Sequence, residues 1–177
     1  MKILILGDIP TPYRIAVFKG VSQKFEANTF FNAAKNDFRN PDWYAKSGKE
    51  FYFEILDNEK AISHFNECVK NIKDYDLVVC YDPWAKRSRA LQRLCIRKRI
   101  PYILNADGAL GITTKFPKKQ IKTFYCKRAT LCFAGCERAA EYFRAYGVKP
   151  EKIAKHPFTS LFKEQILKTP YTKEQKS

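Results

Sequence analysis

The sequence predicts an α/β fold: a sheet of about seven mostly parallel strands, covered by helices on both faces as a three-layer sandwich. Three observations support this fold class. Short apolar runs alternate with longer amphipathic segments along nearly the whole chain. Several of the short runs are continuously apolar, which is typical of strands buried on both faces. The chain of 177 residues is also long enough to bury one sizeable core.

The strands are predicted from short apolar runs that are bounded by turn residues. The run KILIL opens the chain and ends at Gly7, and the run DLVVC has the same character. The predicted strands cover residues 2–6, 27–31, 51–56, 76–80, 101–104, 130–134 and 152–155. Residues 32–50 contain Asn, Asp, Pro and Gly, and they are predicted to form a long loop.

The helices are predicted from apolar residues at helical spacing and from their end signals. Thr11 can cap the first helix, and Pro12 follows at a position where a first-turn proline is tolerated. Gly147 ends the last helix. The predicted helices cover residues 12–24, 58–72, 84–99, 117–128 and 137–146.

Three polar loops follow predicted strands, at residues 7–13, 81–84 and 105–111. Ligands of open parallel sheets bind outside the carboxyl ends of the strands, so these loops form the candidate site. The candidate ligand-binding residues are Gly7, Asp8, Thr11, Tyr13, Arg14, Tyr81, Asp82, Trp84, Asn105 and Gly108.

The first of these loops matches neither common phosphate-binding motif. Ile9 and Pro12 stand where a dinucleotide fingerprint needs glycines, and the lysine of a P-loop is absent. Gly7 would allow close approach of a ligand to the backbone, and the following helix N-terminus favours an anion. Tyr13 and Arg14 would add stacking and a charge. The alternative is a plain strand-to-helix turn with Arg14 in solvent.

The loop at 105–111 supplies the candidate catalytic residue, Asp107, which lies between Asn105 and Gly108. A carboxylate there can accept a proton from a hydroxyl or bind a sugar hydroxyl. The alternative is an Asx-turn to backbone amides. Asp82 is more simply interpreted as a turn residue, and Trp84 as either core or a stacking platform.

The histidines and cysteines show no metal-binding or catalytic pattern. His64 is expected to be a surface or satisfied histidine, and His156 carries only a weak functional signal. The six cysteines have no C-x-x-C spacing, so buried free thiols in a reducing compartment are expected rather than a zinc site. We expect no metal and no signal peptide.

The chain carries 33 Lys and Arg against 18 Asp and Glu, a formal charge of +15. Residues 85–99 contain seven basic residues, residues 115–128 contain six, and neither segment contains an acid. Seven of these basic residues are candidates for contact with an anionic membrane surface: Lys86, Arg89, Arg93, Arg97, Lys118, Lys119 and Lys122. Solvated helix faces and nucleic acid are the alternatives, but no nucleic-acid recognition motif accompanies the charge.

Three motifs resemble one family in their order and spacing: IPTPYR after the first strand, NADG after the fifth, and the closing stretch GVKPEKIAKHPFTSLF. Together they resemble the N-terminal lobe of GT-B fold glycosyltransferases, in particular glycosyltransferase group 1 (family 4-like), over essentially the whole chain. The resemblance implies a Rossmann-like, acceptor-binding lobe over 1–156 and an inter-lobe linker over 157–177. It also implies that the donor-binding lobe lies outside this sequence, so that the lobe alone is inactive.

The resemblance implies sugar transfer from a nucleotide-sugar co-substrate to a glycan or glycolipid acceptor in cell-envelope or polysaccharide biosynthesis, without a cofactor. Asp107 would be the general base of an inverting enzyme or would hold a sugar hydroxyl in a retaining one. The expected location is cytoplasmic, peripheral on the inner face of the cell membrane. A basic module that binds nucleic acid or another anionic polymer stays open as the alternative function.

Overall fold

The computed structural model describes residues 1–35, 51–108 and 111–157. Within these ranges the chain forms seven strands and five α-helices that alternate as predicted. The strands are β1 (Lys2–Gly7), β2 (Glu26–Phe31), β3 (Glu54–Ile55), β4 (Leu77–Cys80), β5 (Tyr102–Ala106), β6 (Leu131–Ala134) and β7 (Ile153–Lys155). The helices are α1 (Pro12–Ser22), α2 (Glu59–Lys70), α3 (Lys86–Lys98), α4 (Lys118–Arg128) and α5 (Glu137–Ala145).

All seven strands pair in parallel in one sheet, in the order β3-β2-β1-β4-β5-β6-β7. Leu4 of β1 lies opposite Asn28 of β2 on one side and Val78 of β4 on the other. From β1 the following strands β2 and β3 are added on one side, and from β4 the following strands β5, β6 and β7 are added on the other side. The carboxyl ends of β1 and β4 therefore form the topological switch point of the sheet. The predicted fold class is confirmed.

Side chains of successive strand residues alternate between two cores, as a pleated strand requires. Leu4 and Leu6 of β1 join the larger core, which is closed by α2, α3, α4 and α5. Ile3 and Ile5 join the smaller core, which includes Phe18 of α1. The α1 side of the sheet therefore has a single helix of the described chain over it, and the candidate site lies on that side.

The local predictions need four corrections. The strand expected at 51–56 is limited to Glu54–Ile55, because β3 is an edge strand that pairs only with the last two residues of β2. Strand β5 extends through Asn105 and Ala106, which were expected in a loop. Helix α3 begins at Lys86 rather than at residue 84. Thr11 occupies the N-cap position of α1, but its side chain makes no capping hydrogen bond.

Gly147 follows α5 with a φ of +74°, as its predicted role at the end of that helix requires. The structure adds a cap that was not predicted: Asn58 accepts a hydrogen bond from the amide of Ala61 at 3.0 Å at the start of α2. Most of the loop predicted at 32–50, and nearly all of the linker predicted at 157–177, lie outside the described residues. In the described part of the chain, no helix has both the length and the apolar character needed to cross a bilayer.

Candidate functional site

The carboxyl ends of β1, β4 and β5 meet at one edge of the sheet and bring three carboxylates into one region. Asp8 follows β1, Asp82 follows β4 by two residues, and Asp107 directly follows β5. The predicted loops at 7–13 and 81–84 therefore adjoin the described start of the loop at 105–111.

Asp107 is the centre of a hydrogen-bonded cluster. Its Oδ2 accepts a hydrogen bond from Arg14 Nη2 at 2.7 Å and one from the Tyr13 hydroxyl at 3.2 Å. Its Oδ1 accepts a hydrogen bond from Asn105 Nδ2. Tyr13, Arg14 and Asn105 are all buried. The cluster thus joins the start of α1 to the end of β5 through side chains that are about 90 residues apart in sequence.

Arg14 is buried with 4% of its surface exposed, so the interpretation that placed it in solvent is wrong. Its guanidinium also lies 4.0 Å from Asp8 Oδ2 and donates to the carbonyl of Ile9 at 3.4 Å. Burial alone would lower the pKa of Arg14, but the neighbouring Tyr13 and Asp107 more than offset it, and the pKa is raised. Arg14 therefore remains a cation at the base of the site.

The rings of Tyr13 and Tyr81 both lie beside the guanidinium of Arg14, with centroids 5.7 and 5.8 Å from its central carbon. Tyr81 also packs edge-on against Phe18 of α1 at 4.7 Å between centroids. Burial raises the pKa of Tyr81, and the charge of Asp107 raises it further. Tyr81 is therefore a neutral phenol, and it belongs to the smaller core where that core borders the cluster.

His156, which carried only a weak functional signal in the sequence, lies next to this cluster. It follows β7, and its Nε2 lies 3.4 Å from the hydroxyl of Tyr81. Its ring packs against Phe133 with centroids 5.1 Å apart. Burial lowers the pKa of His156, although the charge of Asp107 opposes the shift, so the imidazole is neutral at pH 7. The only sequence signal was its position one residue after a predicted strand.

Asp82 forms a turn, as the simpler interpretation predicted: its Oδ1 accepts a hydrogen bond from the amide of Trp84 at 3.3 Å. Burial raises the pKa of Asp82, and the nearby Asp8 adds to the shift. Trp84 packs partly buried against the larger core, and Lys122 Nζ lies 4.9 Å from the centre of its indole ring. The core alternative for Trp84 is thereby favoured over the stacking platform.

Gly7 has a packing reason to be glycine. A Cβ at this position would lie 2.5 Å from Cδ1 of Phe31, a side chain that is completely buried. Gly108, by contrast, has open space where a Cβ would stand. Ligand approach at Gly7 remains a prediction.

Several buried polar atoms at this edge find no hydrogen-bond partner among the described residues: Thr11 Oγ1, Arg14 Nε and Asn105 Oδ1. Around them, the carboxylates of Asp8, Asp82 and Asp107 outnumber the single guanidinium of Arg14. Such a mixture of carboxylate acceptors, an amide oxygen and aromatic rings suits a ligand rich in hydroxyl groups.

A cavity of about 810 Å³ opens next to this edge. Pro10 of the first loop contributes to its wall, together with Phe53, Glu54, Asp57 and Asn58 from the region of β3 and the start of α2. In the described part of the chain, no group of three or more His, Cys, Asp or Glu side chains is arranged to hold a metal ion.

The predicted basic surface is present on α3 and α4, with one correction. Six of the seven predicted residues are exposed: Lys86, Arg89, Arg93, Arg97, Lys118 and Lys119. Lys122 instead points inward, because its Nζ donates a hydrogen bond to the hydroxyl of Tyr142 at 3.1 Å and lies over aromatic rings. Burial lowers the pKa of Lys122.

No sequence model of a protein family matches the chain, and no curated protein sequence matches it. Solved structures do match its fold. HepE from Anabaena in complex with UDP superposes with a TM-score of 0.61 at 14% identity, over 89% of this chain and 44% of that chain. The UDP-N-acetylglucosamine 2-epimerase from Rickettsia bellii gives a TM-score of 0.51 at 17% identity, over 88% of this chain and 44% of that chain.

The MnaA–UDP structure from S. aureus gives a TM-score of 0.53 at 14% identity, over 88% of this chain and 43% of that chain. The fold of this chain is therefore that of one lobe of GT-B enzymes. The chain spans less than half of the length of each of these structures. Within the GT-B group, these similarities fix the fold and leave the family open.

Proposed function

We propose that this chain is the N-terminal, acceptor-binding lobe of a GT-B glycosyltransferase that transfers a sugar from a nucleotide-sugar donor to a saccharide or lipid-linked acceptor. Residues 1–156 would form the lobe and 157–177 the link to a second lobe. The fold supports this proposal, and so do the structures that it resembles, which contain UDP or UDP-glucose in HepE.

The observation that carries the proposal is the cluster around Asp107. A carboxylate offers about four lone-pair positions, and Arg14, Tyr13 and Asn105 occupy three of them. About one position on Oδ1 is left to accept a hydrogen bond from a ligand hydroxyl. Because the cluster lies at the switch point of the sheet, that position faces the region where ligands of such folds bind.

The roles we propose follow from these contacts. Asp107 orients one hydroxyl of the acceptor sugar, and in an inverting enzyme it would accept the proton of that hydroxyl. Tyr13, Arg14 and Asn105 hold the carboxylate in place. His156, neutral and in contact with Tyr81, offers a second proton acceptor at the same edge.

The donor would bind mainly to the second lobe, so the isolated chain is expected to transfer no sugar and to bind UDP only weakly. The lobe of a UDP-N-acetylglucosamine 2-epimerase is a second candidate, because those structures also match over 88% of the chain. The glycosyltransferase is favoured by the higher TM-score of HepE, 0.61 against 0.51.

The test is a transfer assay on the enzyme that combines this lobe with its donor lobe, using a panel of UDP-sugars. We expect Asp107→Asn to lower turnover at least about tenfold, and by as much as about 10²- to 10⁴-fold if Asp107 is the general base. Glu67→Gln, which removes an exposed acid on α2, is the matched control and should leave turnover unchanged.

Near-normal turnover of Asp107→Asn would overturn the role of Asp107. Interconversion of UDP-sugars without any transfer would favour the epimerase. Tight binding of UDP to the isolated chain in calorimetry would contradict the assignment of the donor to a second lobe.

A further inference from the structure

Large apolar side chains are exposed on α4 and on the segment that leads into it. Phe116 is 80% exposed, Ile112 54%, Ile121 44% and Phe124 43%. Ile121 and Phe124 are three residues apart on one helix and share a face, and Phe116 lies two residues before the helix begins. We call these four residues the apolar crest. Four large apolar side chains exposed within thirteen residues of sequence are unusual on a surface that faces only water.

Cations flank the part of the crest that lies on α4. Arg89 and Arg93 of α3 line a groove of about 380 Å³ together with Ile121 and Phe124 of α4. The guanidinium carbon of Arg128 lies 3.8 Å from the centre of the Phe124 ring. Asp107 is the only acid in residues 83–136, and it is engaged on the α1 side of the sheet.

The orientation of α4 is fixed from its inner side. Lys122 donates a hydrogen bond to the hydroxyl of Tyr142 on α5 and lies over the ring of Trp84, next to the start of α3. Tyr125 and Cys126 of the same helix are buried. With Lys122 held inward, Ile121 and Phe124 are presented outward on a rigid element.

We propose that the apolar crest and the exposed basic residues of α3 and α4 form a docking surface for an anionic lipid bilayer. The crest enters the boundary between headgroups and acyl chains, and the arginines and lysines contact lipid phosphates. The combination favours lipid over nucleic acid, because two of the four crest residues are aliphatic isoleucines that cannot stack on bases. This inference does not depend on the proposed sugar transfer.

Co-sedimentation of the chain with vesicles tests the proposal, using phosphatidylcholine alone or mixed with phosphatidylglycerol at 3:1. Binding is expected only to the mixed vesicles. Replacing Arg89 and Arg93 together by Gln should weaken it about tenfold or more, since each basic residue near such a surface contributes appreciably. Phe116→Ser should also weaken binding to the mixed vesicles about tenfold. Because that loss is apolar in origin, the ratio of the two affinities should stay the same when salt is added.

The controls match charge and exposure. Lys70→Gln with Lys73→Gln removes two exposed lysines outside the docking surface, and Tyr52→Ser removes a ring that is 75% exposed outside it. Both should bind like the unmodified chain, and melting temperatures should show that every variant is folded. Phe116→Trp adds a direct readout: its fluorescence should be quenched by lipids brominated in the acyl chain.

Equal binding to vesicles without phosphatidylglycerol would overturn the proposal. So would equal losses in the control variants, or failure of acyl-chain bromines to quench the added tryptophan. Displacement of the chain from mixed vesicles by stoichiometric single-stranded RNA or duplex DNA at 150 mM salt, roughly physiological ionic strength, would assign the surface to nucleic acid instead.

Discussion

The carboxyl edge of the sheet and the surface formed by α3 and α4 use basic residues in opposite ways. At the edge, Arg14 is 4% exposed and paired with Asp107 at 2.7 Å. On α3, Arg89, Arg93 and Arg97 are exposed and no acid stands near them in sequence. A buried cation such as Arg14 fixes the position of the carboxylate beside it. Exposed cations instead give the surface a positive potential and are free to contact a partner.

The largest expected change in the free energy of unfolding comes from removing the buried arginine. Arg14→Met leaves Asp107 and Asp8 without their buried cation, and we expect a loss of about 3 to 5 kcal/mol in the free energy of unfolding. For a chain of this size that lowers the melting temperature by roughly 10 °C. Thermal and urea unfolding measure it.

The matched control is Arg97→Met on the exposed face of α3, which should change the free energy of unfolding by about 0.5 kcal/mol or less. Equal effects of the two substitutions would remove the distinction between the regions.

Asp107→Asn should have the next largest effect on stability, about 2 to 3 kcal/mol, because among the described residues it leaves Asp8, at 4.0 Å, as the carboxylate that pairs with the buried guanidinium of Arg14. The loss should be smaller in the background of Arg14→Met, since the two residues share one interaction. A double-mutant cycle by urea unfolding measures the coupling. Additive losses would show that the ion pair contributes little.

Gly7→Ala tests whether packing explains the glycine at the end of β1. The added Cβ would lie 2.5 Å from the ring of Phe31, so the ring must move, and we expect a loss of about 1 to 2 kcal/mol. Gly108→Ala, where the Cβ meets open space, is the control. A stable Gly7→Ala variant with weakened ligand binding would restore ligand approach as the reason.

The smallest effect has the opposite sign. Burial raises the pKa of Asp82 above its ordinary value of 3.8, so its ionised form costs stability in the folded state. Asp82→Asn keeps the oxygen that accepts from Trp84 and should raise the melting temperature slightly at pH 7. The gain should fall as the pH drops through the folded-state pKa of Asp82 and should vanish below 3.8, where the native side chain is protonated in both the folded and the unfolded state.

A gain for Asp82→Asn that is independent of pH would point to packing rather than to the charge. A loss of stability at pH 7 would show that the ionised carboxylate is favourable in this turn.

Much of the fold could be predicted from the sequence because the signals for strands and helix ends lie within short stretches of the chain. Continuous apolar runs marked β1 and β4, and Gly147 marked the end of α5. The sequence could not show that β3 is an edge strand of two residues, because its pairing depends on which strand lies beside it.

The meeting of the polar loops after β1, β4 and β5 at one edge of the sheet could be predicted, since parallel strands end together. The contacts among their side chains could not. The pairing of Arg14 with Asp107 spans 93 residues, and no local pattern encodes it. Lys122 is a second example. Its position on α4 predicted that it would lie on the basic surface, but its Nζ donates a hydrogen bond to Tyr142 of α5 instead.

The place of His156 beside the cluster could not be predicted for a similar reason. Its partner Tyr81 is 75 residues away, and only the order of strands in the sheet brings the two ends together. A residue that directly follows a strand at the carboxyl edge therefore merits attention whatever its neighbours in sequence.

The measurement that tests the central claim most directly is chemical-shift mapping on the ¹⁵N-labelled chain with glucose, N-acetylglucosamine and their methyl glycosides, and with UDP in parallel. We expect that a sugar of this panel shifts the amides of Asp8, Asp107, Gly108 and His156, that Asp107→Asn abolishes these shifts, and that UDP binds weakly. Shifts confined to α3 and α4, or tight binding of UDP to this single lobe, would contradict it.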